Sequence, residues 1–194
     1  DEETAGAIFH ELAHQLVYVK GDTGFNESYA SWVERGGVAD WLNWRESQGW
    51  DTKDIASAWE KRAQWRQNYY YMLQMTRDEL ALLYRSELAA DQQQQRKQQL
   101  LEELRQGLTQ AELPVPEPLN NAQLAIIATY EDGVGRFARL FQCHNNEWPS
   151  FHAAVRAIAA WPAPRRSDWL AGVIDTPPEL CQLTRASEID KDKP

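Results

Sequence analysis

Two histidines and a glutamate occur close together near the start of the chain, in the run His10-Glu11-Leu12-Ala13-His14. On a helix, His10 and His14 lie one turn apart on the same face, so both imidazoles can bind one metal ion, commonly Zn²⁺. Glu11 lies about 100° around the helix from His10, off the metal but close to a water that the metal activates. The pattern predicts metal-assisted hydrolysis with Glu11 as the general base. The alternative is two surface histidines beside a solvated glutamate.

A catalytic zinc ion needs a third protein ligand, and two glutamates compete for that role. Glu27 follows His14 by 13 positions, and Glu34 follows it by 20. The two glutamates are seven residues apart, about two helical turns, so they share one face of a helix. One can bind the metal while the other orients a ligand imidazole. Spacing alone leaves both assignments open.

The segment around these glutamates, residues 26–34 (NESYASWVE), resembles a segment of the gluzincin metallopeptidases, the group of aminopeptidase N and, more distantly, thermolysin. That resemblance implies that Glu27 is the third zinc ligand. Gluzincins usually place more residues between the second histidine and this glutamate, and the residue count instead favours Glu34.

The longer string IFHELAHQ, then YVK, DT and FNES, within residues 8–28, more closely resembles a bacterial family described as putative aminopeptidases. Later pieces, LNNA at residues 119–122 and ATY at 128–130, look like the C-terminal region of the same family. The resemblance implies a zinc-dependent peptide hydrolase, aminopeptidase-like, with one Zn²⁺ per chain and a peptide substrate. It also implies Tyr130 as a candidate donor to the oxyanion of the reaction, although a core tyrosine is an equal alternative.

Members of this family have a substantial region upstream of the HExxH helix, often beginning with a lipoprotein-type signal. We therefore expect this chain to be a C-terminal portion, with the zincin-like catalytic helices but without the upstream sheet. The missing region would complete the substrate cleft, and an exposed apolar face on the first helix would support this expectation. A periplasmic or cell-envelope location is suggested by the resemblance alone.

Helical periodicity predicts an all-α fold in which the HExxH helix packs on a second ligand helix. The first helix is expected over residues 3–20 and the second over 25–45. Residues 51–107 contain no proline, and no glycine before Gly107, so they form either one long helix or a hairpin that breaks near Asp91. Short helices over 121–130, 133–142 and 148–160 would form a small C-terminal bundle. These elements are expected to make one domain over residues 1–175, followed by an irregular tail over 176–194.

Composition excludes some partners and leaves two other functions open. The net charge of −9 argues against nucleic acid, and no apolar run approaches the ~20 residues that a membrane span needs. Cys143 and Cys181 form one disulfide or none. A non-catalytic helical interaction module with a structural or relic metal site is the alternative function, and a metal-dependent hydrolase of non-peptide substrates is another. The intact Glu11 argues against the first, because a structural site needs no base.

Overall fold

The structure, a computed structural model, describes residues 1–183, without the side chains of residues 126–130. Over residues 1–183 the chain is helical and contains no strand, which confirms the all-α prediction. None of the described helices is long and apolar enough to cross a membrane. The helices are α1 (Glu2–Leu16), α2 (Thr23–Ser47), α3 (Lys53–Arg85), α4 (Ala90–Gln110), α5 (Asn121–Cys143), α6 (Trp148–Ala159) and α7 (Ala163–Leu170), with a short 3-10 helix over Leu180–Gln182.

The chain divides into two compact units. The first unit comprises Asp1–Ile55 and the chain from Thr129 onward, and it carries α1, α2, α6 and α7. The second comprises Ala56–Ala128, with α4 and most of α3. Each unit buries its own cluster of apolar side chains.

The first helix is shorter than its periodicity predicts. It begins after Asp1, whose carboxylate Oδ1 accepts the backbone N–H of Thr4 at 2.9 Å, and it ends at Leu16 instead of residue 20. Val17 leaves the helix with extended backbone angles (φ −144°, ψ 124°) because its side chain turns into the core, where it is 6% exposed. After Val17 the chain reverses direction, and α2 then packs against α1. The contact between these two helices is the main helix packing of the first unit.

Large aromatic side chains fill the core of the first unit. Phe137 of α5 contacts Phe25, Tyr29 and Trp169 edge-on or tilted, with ring centroids 5.1 to 5.6 Å apart. All four are fully buried. Aromatic pairs in this arrangement stabilise a core beyond the area that they bury. The same cluster holds the ligand helix α2 in position.

The prediction of separate helices over 121–130 and 133–142 is wrong, because α5 is continuous from Asn121 to Cys143. Gly133 was expected to fall near a break, but it lies within the helix. A Cβ atom at this position would be only 2.3 Å from the hydroxyl oxygen of Ser28 in α2. The glycine therefore lets the two helices approach closely, and it marks a packing contact where the sequence suggested a turn.

The expected end of the last helix near Pro162 is followed by another helix that the sequence pattern did not predict. α7 begins at Ala163 and has Pro164 in its first turn, where proline needs no N–H and its fixed φ suits a helix. The sequence pattern predicted the end of a helix at these prolines, but in the structure they begin a new one.

The second unit resolves the choice between one long helix and a hairpin in favour of the hairpin. The break falls at residues 86–89, near the predicted position. Arg96 of α4 lies 4.0 Å from Glu79, and Gly107 lies against Met72 further back along α3, so the two helices run antiparallel. The unit buries a leucine-rich core: Leu73, Leu80, Leu83, Leu100, Leu104, Leu108, Leu113 and Leu124.

A disulfide joins Cys143 at the end of α5 to Cys181 in the 3-10 helix, with Cα atoms 5.4 Å apart. It closes a loop across a sequence separation of 38 and so anchors the described end of the chain to the first unit. Disulfides persist in oxidising compartments.

Candidate metal centre

Three of the predicted ligands meet at the contact between α1 and α2. The Nε2 atom of His10 lies 3.3 Å from one carboxylate oxygen of Glu27, and the Nε2 atom of His14 lies 3.6 Å from the other. Their potential ligand atoms all fall within 4.8 Å of one another. In the part of the chain that the structure describes, no other group of His, Cys, Asp and Glu side chains meets the same condition.

These distances fit a tetrahedral metal site. Ligand atoms at about 2.0–2.1 Å from a zinc ion in tetrahedral coordination lie roughly 3.3–3.4 Å from each other. The separations of Glu27 from His10 and His14 match this spacing within a few tenths of an ångström. Two imidazoles and one carboxylate are also a donor set that zinc binds in hydrolases, with a fourth position left open.

Glu34 lies on the other side of the His10 ring. One of its carboxylate oxygens is 3.3 Å from the Nδ1 atom of His10, while Nε2 of the same ring faces Glu27. A carboxylate in this position fixes the tautomer of a metal-binding histidine and makes its ligand atom more basic. The Nδ1 atom of His14 is buried and has no hydrogen-bond partner in the structure. A carboxylate therefore orients the ring of His10 through Nδ1, whereas no described side chain does so for the ring of His14.

The position of Glu27 depends on the short connection between α1 and α2. The preceding residue, Asn26, is 2% exposed and pairs with Val19 through both ends of its amide. Its Oδ1 accepts the Val19 N–H and its Nδ2 donates to the Val19 carbonyl, each at 2.8 Å. Asp22 caps α2 by accepting the N–H of Phe25 at 3.1 Å. These bonds fix the start of the helix and hence the direction in which Glu27 points.

A partly buried hydrogen bond joins α2 to α6. The Tyr29 hydroxyl lies 2.8 Å from Nδ1 of His152 in α6. Burial raises the pKa of Tyr29 far above its ordinary value, and the charge of nearby Arg156 only partly opposes this. The hydroxyl therefore keeps its proton, and it pairs with the imidazole of His152. No local sequence pattern marks this pair, because Tyr29 and His152 are 123 residues apart and meet only in the tertiary structure.

Glu11 and Tyr130 are the two remaining predicted site residues. Glu11 is exposed on α1, on the turn that carries His10 and His14. Tyr130 belongs to α5, but its side chain lies outside the described residues, so its predicted role is untested. Of the apolar residues in and beside the motif, Ala13 is fully buried, whereas Ile8 and Leu12 are about half exposed. The histidines themselves are only partly buried, at 21% and 19% exposure.

A separate apolar cleft lies between α1 and α2, with a volume of about 440 Å³. The metal-ligand residues do not line it. Its floor includes Ala13, and three tryptophans contribute to its wall. The lining residues are Phe9, Leu12, Ala13, Leu16, Val33, Gly37, Asp40, Trp41, Trp44, Trp148 and His152. The motif therefore lies on a helix that presents polar ligands on one face and apolar side chains on another.

Fold and site together define an all-helical protein with a candidate metal centre of two histidines and a glutamate on adjacent helices. The chain belongs to the family described as "Putative aminopeptidase", which matches residues 1–170. No curated protein and no solved structure matches the chain. The family description names aminopeptidase activity, and the match includes both helices of the candidate metal centre.

Proposed function

We propose that this protein is a zinc-dependent peptide hydrolase of the gluzincin type, acting as an aminopeptidase on a peptide substrate. The observation that carries the proposal is the convergence of the His10 and His14 Nε2 atoms on the carboxylate of Glu27. The family to which the chain belongs supports peptidase activity in general. The HExxH spacing supports the zinc-dependent form of that activity.

Glu27 is the third ligand in this proposal, and Glu34 is the residue that orients His10. The reason is geometric, because Glu27 faces Nε2 of both histidines, while Glu34 reaches only Nδ1 of His10. His10, His14 and Glu27 would hold the zinc ion, which would supply the acidity needed to activate a water at neutral pH. The exposed carboxylate of Glu11 would accept a proton from that water and so act as general base.

The proposal is tested by the zinc content of the purified protein and of two matched variants. The wild type should bind about one zinc per chain, and Glu27→Ala should bind none, because two histidines alone hold zinc poorly. Glu34→Ala should still bind zinc, with affinity about 10- to 100-fold lower, because it removes only the support of His10. Elemental mass spectrometry gives the stoichiometry, and competition with a chromophoric chelator gives the affinity.

Glu46→Ala is the control, since Glu46 is an exposed carboxylate near the other end of the same helix. It should bind zinc as the wild type does. A wild-type protein that remains without zinc after reconstitution would contradict the proposal. Zinc kept in Glu27→Ala but lost in Glu34→Ala would exchange the two assigned roles.

The outward face of α1 supports a second part of the proposal, that a polypeptide segment upstream of this helix covers it. Ile8, Leu12 and Leu16 form a stripe at four-residue spacing, and they are 53%, 47% and 50% exposed. Apolar side chains in a continuous row are seldom left in water unless another surface packs on them. The stripe and the ligand histidines lie on different faces of the same helix.

We expect Leu12→Lys to change the free energy of unfolding of this chain by no more than about 0.5 kcal/mol, because the position is half exposed. In a longer chain that includes the upstream region, the same lysine would be buried in an interface and would destabilise the protein by more than about 2 kcal/mol. Urea unfolding of both lengths measures the difference. Gln15→Lys, at an exposed polar position, is the control. Equal effects of Leu12→Lys in both lengths would contradict a covered face.

A further inference from the structure

A glycine in the first half of α1, Gly6, lies directly beside Glu34 of the candidate metal centre. Gly6 is buried and precedes His10 by four residues, so the two share one face of the helix. Side chains on a helix lean toward its N-terminus, which brings the His10 ring over the position of Gly6. Glycine destabilises the interior of a helix relative to alanine, so a glycine at such a position often has a role in packing.

The space left by the missing side chain is taken by Glu34. A Cβ atom at Gly6 would lie 3.2 Å from Cγ, 3.4 Å from Oε1 and 3.6 Å from Cδ of Glu34, and these are its three nearest neighbours. The distance to Cγ is shorter than an ordinary van der Waals contact and the distance to Oε1 is at its lower limit, so the Glu34 side chain would have to move by a few tenths of an ångström. It is 30% exposed and can move toward solvent.

Such a movement would break the contact with His10. The Glu34 Oε2 atom is already 3.3 Å from Nδ1 of His10, close to the upper limit for a hydrogen bond. A retreat of a few tenths of an ångström takes the pair beyond that limit. The carboxylate would then no longer fix the tautomer and orientation of the imidazole.

We propose that Gly6 is a positioning residue for the metal centre: it leaves the gap through which Glu34 reaches His10, and it thereby raises the affinity for zinc. This inference rests on the proposed function. It assigns to Gly6 a role in metal binding at the expense of helix stability. The alternative is that Gly6 only lets α1 and α2 pack closely.

The test uses Gly6→Ala in the full chain, with zinc affinity and the thermal midpoint of the zinc-free protein as readouts. Zinc should bind about three- to tenfold more weakly, a smaller loss than the removal of Glu34 itself would cause. The zinc-free protein should be at least as stable as the wild type, with a rise of about 2 °C, because alanine favours the helix and the displaced side chain moves into solvent.

A double-mutant cycle separates the two explanations. In a Glu34→Ala background no carboxylate remains to be displaced, so Gly6→Ala should not change zinc affinity further. Gly24→Ala is the control, because a Cβ atom at Gly24 of α2 would meet nothing within 4 Å. It should leave zinc affinity unchanged.

Three results would overturn the inference: an unchanged zinc affinity in Gly6→Ala, an equal loss of affinity with and without Glu34, or a destabilised zinc-free protein. An unchanged affinity would mean that the new methyl group does not disturb the support of His10 by Glu34, and either of the other two results would mean that it acts on the packing of the helices. The wild-type titration distinguishes this failure from failure of the proposed function. If the wild type binds zinc, only the role of Gly6 is wrong.

Discussion

Replacing Glu11 with glutamine is expected to leave one zinc ion bound per chain and to lower peptide hydrolysis by a factor of about 100 to 10,000. Glutamine has nearly the size of glutamate but cannot accept a proton from the attacking water. Glu11 is not one of the three converging ligands, so the change should leave them intact. Hydrolysis of fluorogenic aminoacyl substrates gives the rate, and elemental analysis gives the zinc content.

Two further variants in α1 test whether the loss of hydrolysis comes from the loss of the general base. Gln15→Ala, one turn after Glu11 and also exposed, should keep both zinc and activity. His14→Ala should lose both, because it removes a ligand. Loss of zinc in Glu11→Gln would show that the assigned roles are wrong. Undiminished hydrolysis in this variant would remove Glu11 from the mechanism.

Replacing Arg166 with methionine is expected to lower the free energy of unfolding by about 3–5 kcal/mol, the cost typical of breaking a buried ion pair. Arg166 is 6% exposed, and its Nε donates to the Asp22 carboxylate at 2.8 Å. Its Nη1 donates to the carbonyl oxygens of Ala159 and Trp161 at the end of α6. Methionine preserves much of the volume but satisfies none of these acceptors.

The contact matters for the candidate site because Asp22 also caps α2. Its second carboxylate oxygen accepts the N–H of Phe25, two residues before Glu27. One guanidinium thus joins α7, the end of α6 and the start of the ligand helix. Loss of Arg166 should therefore destabilise the first unit as a whole, while the protein that remains folded keeps its zinc stoichiometry.

The neighbouring Arg165 provides a matched control. It is exposed and stacks over the Trp161 ring at 4.1 Å, so Arg165→Met should cost no more than about 1 kcal/mol. Urea unfolding at an unchanged m-value measures both variants. Similar losses in the two variants, or a loss below about 1 kcal/mol in Arg166→Met, would show that the buried network contributes little.

Local pattern was a reliable guide wherever the deciding interactions lie within a few residues. The helical spacing around His10 and His14 predicted one shared face, and the two Nε2 atoms do converge. The absence of strands in residues 1–183 also follows from short-range periodicity. Glycine and proline were less reliable, because Gly133 and Pro164 serve helix packing and helix initiation in this fold. Their meaning depends on what approaches them from elsewhere in the chain.

By itself, the sequence determined the all-α class, the helix that bears the HExxH run and the two glutamates that compete beside it. These depend on the helical repeat, which any short segment expresses without its partners. Only the tertiary structure decided which glutamate faces both histidines, because that depends on where α1 ends at Leu16 and how Asn26 clamps the turn. It also decided that Gly6 adjoins Glu34 and that the apolar stripe of α1 stays exposed. Contacts between segments distant in sequence depend on the rotation and approach of whole helices, which no local repeat encodes.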